Sequence, residues 1–185
     1  MTLQNAAEYS DPNEEERELI DFNQFFDHGR LHELELFVRS QCSDRTVAEE
    51  VVQDTLVVAL AGWEKVGRYR KPMGWLIKTA RSKLIRAMRN AAARRGRFVG
   101  LEVVVAEPFR EPTNDAEAEL LFLDLMNRLS RRQSEVLSLS WLDLSDREIA
   151  QMLEITPATV RSHREAARKR LQAFIDNGLG YSEGD

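Results

Sequence analysis

Arg161 and Ser162 stand in the N-terminal half of TPATVRSHREAARKRL, residues 156–171. An arginine fork there can hold guanine O6 and N7 together, and a serine hydroxyl can donate to or accept from a base edge. Arg168, Lys169 and Arg170 follow and suit phosphates, which adds affinity without sequence information. This is recognition chemistry rather than bond making. No nucleophile–base set, metal cluster or glycine-rich phosphate loop accompanies these residues. The single cysteine, Cys42, excludes an internal disulfide, and its simplest reading is a small buried residue near a helix end. His28, His32 and His163 are too scattered to make a zinc site with it. No metal or cofactor is expected.

A second group carries the same kind of chemistry. Residues 65–97 hold twelve basic side chains and no carboxylate: Lys65, Arg68, Arg70, Lys71, Lys78, Arg81, Lys83, Arg86, Arg89, Arg94, Arg95 and Arg97. Residues 1–64 hold 15 acidic and 4 basic ones, so the net charge of −5 hides a segregated pattern. Like charges at that density repel one another unless a polyanion lies opposite. Trp63, Tyr69 and Trp75 are interleaved with this segment. Aromatics among cations suit single-stranded nucleic acid, where unstacked bases rest on rings while Arg and Lys follow phosphates. Trp63 and Trp75 have apolar neighbours and read as core, which leaves Tyr69 as the candidate exposed ring.

The elements that position these groups are helical. In SDREIAQMLEITPATV, Ser145 and Glu148 form a capping box, Glu154 and Ile155 break the pattern, and Thr156-Pro157 restarts a helix. Two helices across a short turn, the second basic, match the geometry that enters a major groove. With Val160 at the centre of the buried face, Ala167, Leu171 and Phe174 fall beside it. Ala158, Ser162, Glu165, Ala166 and Lys169 then point outward, and Thr159 and Arg161 flank them. Upstream, Asp44 is placed to cap a helix through VAEEVVQDTLVVALAGW, with Val47, Val51, Thr55, Val58 and Ala59 on one stripe. Glu50, Gln53, Asp54 and Val57 form the other, beside Glu49. EKVGRYR reads as a loop, and Pro72 opens a long helix whose buried face is Leu76, Thr79, Ala80, Leu84 and Ala87. Ser130 is placed to cap SRRQSEVLSLSWLD.

The chain is therefore read as all-α: two small helical domains on a flexible linker, the C-terminal one a helix-turn-helix. Residues 1–18 form an acidic, disordered N-terminus, 19–95 the first domain, 96–114 the linker, 115–177 the second domain and 178–185 a tail. LEVVVAE, inside the linker, has β character but no partner strand, so it reads as extended. No apolar run approaches the roughly 20 residues that span a bilayer. The N-terminus has no apolar signal region either, so a cytoplasmic location without membrane attachment is expected.

AEEVVQDTLVVALAGW, PMGWLIKTARSKLIRAMR and LSRRQSEVLSLSWLDLSDREIAQMLEITPATVRSHREAARKRL, in that order around a linker, resemble the sigma-70 family. The match is best to its two-domain extracytoplasmic-function branch, with regions 2 and 4 only, and runs from about Phe22 to Phe174. The resemblance implies a promoter-recognition subunit of RNA polymerase that performs no bond chemistry. Its partners would be core polymerase (β′ clamp and β flap), promoter DNA and an anti-sigma factor. Glu49, Glu50, Gln53 and Asp54 would meet the β′ clamp. Arg68, Tyr69, Lys71, Lys78, Arg81, Ser82, Arg86 and Arg89 would contact the melted −10 element. Thr159, Arg161, Ser162, Glu165 and Lys169 would face the −35 duplex.

Three positions depart from the family pattern. Ser82 stands where many members carry an Asn that helps hold a flipped base, so no −10 preference carries over. Arg164 replaces a Leu or Ile on the buried side of the recognition helix, where it must reach the edge or pair with a carboxylate. Glu165 would repel phosphate unless it accepts from cytosine. TVRSHREAARKRL also resembles LuxR-type recognition helices, which Arg164 fits better, making a response-regulator-like factor that acts without polymerase the alternative. The first domain disfavours it, lacking the alternating βα pattern of a receiver. A sigma-like decoy that binds polymerase but melts nothing is a third class.

Overall fold

The computed structural model describes residues 17–27, 29–95 and 114–178. The chain divides into two units, residues 1–111 and 112–185, and the described residues form nine helices and no strand. The expectations for residues 1–16, for LEVVVAE and for the tail beyond Gly178 fall outside the described residues.

The first unit is built from α1 (Phe22–Phe26), α2 (Arg30–Gln41), α3 (Arg45–Ala61), α4 (Trp63–Val66) and α5 (Pro72–Arg95). Asp44 caps α3 as the sequence indicates, its carboxylate accepting from the Val47 amide at 3.2 Å. Helix α3 packs against both α2 and α5, and α2 also touches α5. Leu34, Phe37 and Val38 of α2 fill this core, with Ala48, Val51, Val52, Thr55 and Ala59 of α3 and Leu76, Ile77, Ala80 and Leu84 of α5. Thr55 satisfies its buried hydroxyl by donating to the Val51 carbonyl at 2.7 Å. Two stripes differ from expectation. Val58 is exposed and Val47 half-buried, while Ala48 and Val52 are buried. Ile77 is fully buried, whereas Thr79 and Ala87 are half-buried, because two helices rather than one cover α5. Cys42, expected to be buried, caps the C-terminus of α2 half-exposed.

EKVGRYR is not wholly loop, since its first residues belong to the single helical turn of α4. Segment 17–20 crosses this turn. The Trp63 indole N–H donates to the Ile20 carbonyl at 2.7 Å, Arg68 Nη1 to the Arg17 carbonyl at 2.6 Å, and the Ile20 amide to the Gly67 carbonyl at 3.4 Å. Gly67 permits the crossing: an added Cβ would lie 2.7 Å from Leu19 Cδ1, 2.9 Å from Trp63 Nε1 and 3.0 Å from the Trp63 carbonyl. Phe22, Phe25 and Phe26 pack on Trp63 with ring centroids 5.0, 5.1 and 6.1 Å from it. Trp63 and Trp75 are core residues, as expected.

The second unit contains α6 (Asn114–Asn127), α7 (Arg131–Trp141), α8 (Asp146–Leu153) and α9 (Pro157–Gly178). Ser130–Gln133 and Ser145–Glu148 both close reciprocal capping boxes, satisfying orphan amides at the starts of α7 and α8. Glu154 ends α8 in the left-handed conformation at φ 57°, and the Thr156 hydroxyl accepts from the Thr159 amide at 3.1 Å. Val136 and Leu139 of α7, Ile149 and Leu153 of α8 and Val160 of α9 are buried. Met126, Leu129 and Ala167 form a second cluster with Phe122, Leu125, Leu137 and Leu171 against it. Helix α9 packs on both α7 and α8.

Candidate nucleic-acid interface

Helix α5 carries Lys78, Arg81, Ser82, Arg86 and Arg89. At about 100° per residue these five fall within an arc of about 140°, centred roughly opposite Leu76, Ile77, Ala80 and Leu84. Burying one side thus presents the cations on the other. Arg86 and Arg89 are exposed, while Lys78, Arg81 and Ser82 are half-buried where α5 meets its neighbours. Lys71, just before the helix, is half-buried too.

Two expected members of this group are placed differently. Tyr69 is 3% exposed, so it is a core ring and not a platform for a base. The turn after α4, where the Tyr69 amide bonds the Val66 carbonyl at 3.1 Å, folds the ring inward. Arg68 is half-buried, and its Nη1 is held by the Arg17 carbonyl.

On α3, Glu49, Glu50, Gln53 and Asp54 are all exposed. Glu49 pairs with Arg45 at 2.8 Å, and Asp54 reaches Lys83 of α5 at 3.4 Å. Val57 and Leu60 continue this surface, 67% and 61% exposed, so the polar stripe ends in an apolar patch.

On α9, Arg161, Ser162, Glu165 and Lys169 are exposed, as the phase of Val160 requires. Ala166, expected outside, is half-buried. Thr159 is half-buried, with its hydroxyl 2.8 Å from that of Thr156. Glu165 and Lys169 pair at 2.8 Å, one turn apart. The Lys169 hydrogen bond and charge hold the Glu165 carboxyl below its ordinary value, and Glu165 raises the Lys169 ammonium in return. The repulsion expected between Glu165 and phosphate is therefore offset locally. Arg164 reaches out of the core as expected: its Nε donates to Ser140 Oγ at 2.9 Å and its Nη2 to the Asp146 carboxylate. Arg161 Nη1 also lies 3.6 Å from Asp146. The hydrogen bond from Arg164, with the charges of both arginines, lowers the Asp146 pKa against the opposing effect of desolvation.

Asp146 is the residue that sequence reasoning missed, along with the pairing of Lys83, already counted among the cations, with Asp54. Asp146 lies eighteen positions before Arg164, and no local pattern links them. The fold of a helix-turn-helix could have done so, since it brings the start of α8 against α9.

Residues 31–94 match the family model for sigma-70 region 2, and residues 119–171 that for sigma-70, region 4. Together the two spans cover more than half of the 185-residue chain. Among solved structures, the chain is similar to the sigma factor RpoE crystallised with the anti-sigma factor NepR from Bartonella quintana. The identity is 28% over 80% of this chain and 92% of that one, with a TM-score of 0.60. No curated protein matches the sequence. None of these likenesses supports a LuxR-like regulator, because the domain ahead of the helix-turn-helix is sigma region 2. A region-2 unit with a cationic helix face, followed by a region-4 helix-turn-helix, is the arrangement of the extracytoplasmic-function branch, and the chain belongs to the sigma-70 family as an RNA polymerase sigma factor.

Proposed function

We propose that the two units divide promoter recognition by residue as follows. Glu49, Glu50, Gln53 and Asp54 on α3 dock on the β′ clamp of core polymerase, with Val57 and Leu60 adding apolar area at the edge. Lys71, Lys78, Arg81, Ser82, Arg86 and Arg89 follow the opened −10 strand, and Arg68 lies at its margin. Arg161 and Ser162 read −35 base edges, flanked by Thr159, while Glu165 and Lys169 meet the duplex as a neutral pair. The second unit also meets the β flap. The observation that carries this reading is the division of charge in the first unit: α3 exposes carboxylates, and α5 exposes cations without one.

Such a protein acts by binding and melting, and bond chemistry belongs to the polymerase. The similar RpoE chain was captured with an anti-sigma factor, and we extend that class of partner to this chain. No helix among the described residues is long and apolar enough to cross a membrane, which accords with work in the cytoplasm beside the polymerase. The test is reconstitution: the purified chain is added to core RNA polymerase on genomic templates. A stable complex giving specific run-off transcripts is expected. Failure to bind core would overturn the reading, and a complex without transcripts would make the chain a decoy.

A further inference from the structure

Asp146 belongs to α8, outside the recognition helix, yet it faces two arginines of that helix at once. Its two carboxylate oxygens are divided between them. Oδ1 accepts from Arg164 Nη2, and Oδ2 lies 3.6 Å from Arg161 Nη1. Arg164 is itself fixed at a second point, because its Nε donates to Ser140 Oγ while that hydroxyl donates to the Val136 carbonyl at 2.7 Å. The clamp therefore spans α7, α8 and α9. Its inner members are shielded, with Arg164 and Asp146 side chains 21% and 27% exposed, while Arg161 is 62% exposed.

The asymmetry matters. Arg164 and Asp146 are held tightly, whereas Arg161 meets the carboxylate at ion-pair distance without a closed hydrogen bond. An exposed pair of that kind contributes little to stability. It does bias the rotamers of a long side chain that would otherwise lose its freedom on meeting DNA. The contact engages Nη1, which leaves the Nε–Nη2 edge of the fork outside it, and one such edge suffices for a bidentate base contact.

We propose that Asp146 is a positioning residue for promoter reading: clamped by Arg164, its carboxylate holds Arg161 in the pose from which α9 contacts a base. This rests on Arg161 being a base reader. It makes Arg164 and Asp146 determinants of specificity that never touch a base.

The test uses holoenzyme formed from the full chain and core polymerase, with duplex promoters randomised across the −35 element. Four chains are compared: wild type, Arg161→Ala, Asp146→Asn and the double variant. Arg161→Ala is expected to flatten preference at one base pair. Asp146→Asn should reduce preference at that same pair by about three- to tenfold, a part of the roughly 5- to 150-fold that a good bidentate contact supplies. The double variant should be no flatter than Arg161→Ala alone. Arg164→Leu, which releases the clamp but keeps Asp146, should act at the same base pair, so a poorly folded Asp146→Asn would not end the test. If Arg161→Ala changes the preference while Asp146→Asn and Arg164→Leu leave it intact, the positioning role is overturned. Effects of Asp146→Asn that add to those of Arg161→Ala overturn it too. A profile unmoved by Arg161→Ala removes the base-reading role itself, and the proposal with it.

Discussion

The carboxylate of Asp146 titrates below the ordinary range because Arg164 donates to it, and acid should therefore act on it in a definite direction. The unfolded chain takes up the proton first as pH falls. The contribution of Asp146 is thus fully present above its ordinary value and is lost as pH drops through the lower folded value. Denaturation of the full chain between about pH 5 and pH 2 should show stability falling more steeply for wild type than for Asp146→Asn. Equal slopes would mean that the pair does not persist in solution. The Arg164 end of this pair was legible in the sequence, because a charge on a buried helical face has few options. Its partner was not, since the pairing depends on how α8 lies against α9. Tyr69 failed for a related reason: a ring beside four cations reads as exposed, and only the turn after α4 shows that it points inward.

Among the elements, the crossing of α4 by segment 17–20 rests on the missing side chain of Gly67. Gly67→Ala brings a methyl against Leu19, whose end can move, and against Trp63, whose indole is fixed by Ile20 and three phenylalanines. The expected loss is about 1–3 kcal/mol by chemical denaturation of the full chain, as for overpacking elsewhere. A neutral result would show that the crossing yields easily. Removing the Ser145 cap by Ser145→Ala should cost about 1 kcal/mol by the same measurement, because the Glu148 amide loses its acceptor. Caps such as Ser130, Asp44 and Ser145 were legible because their signal lies within four residues. Helix α4 was not, since WEKV is barely one turn and too short to display a period. Ile77 was missed because burial from two sides widens the apolar arc beyond one stripe.

For the whole molecule, a net charge of −5 coexists with a segment of twelve cations, so net charge says little about which partners it binds. The acidic and basic faces belong to different helices, and they can be disabled separately. Gln53→Arg with Asp54→Arg should weaken core binding by about thirtyfold or more if these residues are central to the docked surface. Both are exposed, so the melting temperature should hardly change. Core binding that survives the pair would move the docking surface elsewhere on the unit.

The three tryptophans divide by burial in a way that has an optical consequence. Trp63 and Trp75 are 6% and 8% exposed, whereas Trp141 at the end of α7 is 58% exposed and lies beside Phe122. A soluble collisional quencher should therefore darken the red-emitting Trp141 while sparing the blue-emitting pair. The intact chain thus carries a built-in fluorophore for each unit, and unfolding of region 2 and covering of region 4 can be watched in one cuvette without a label.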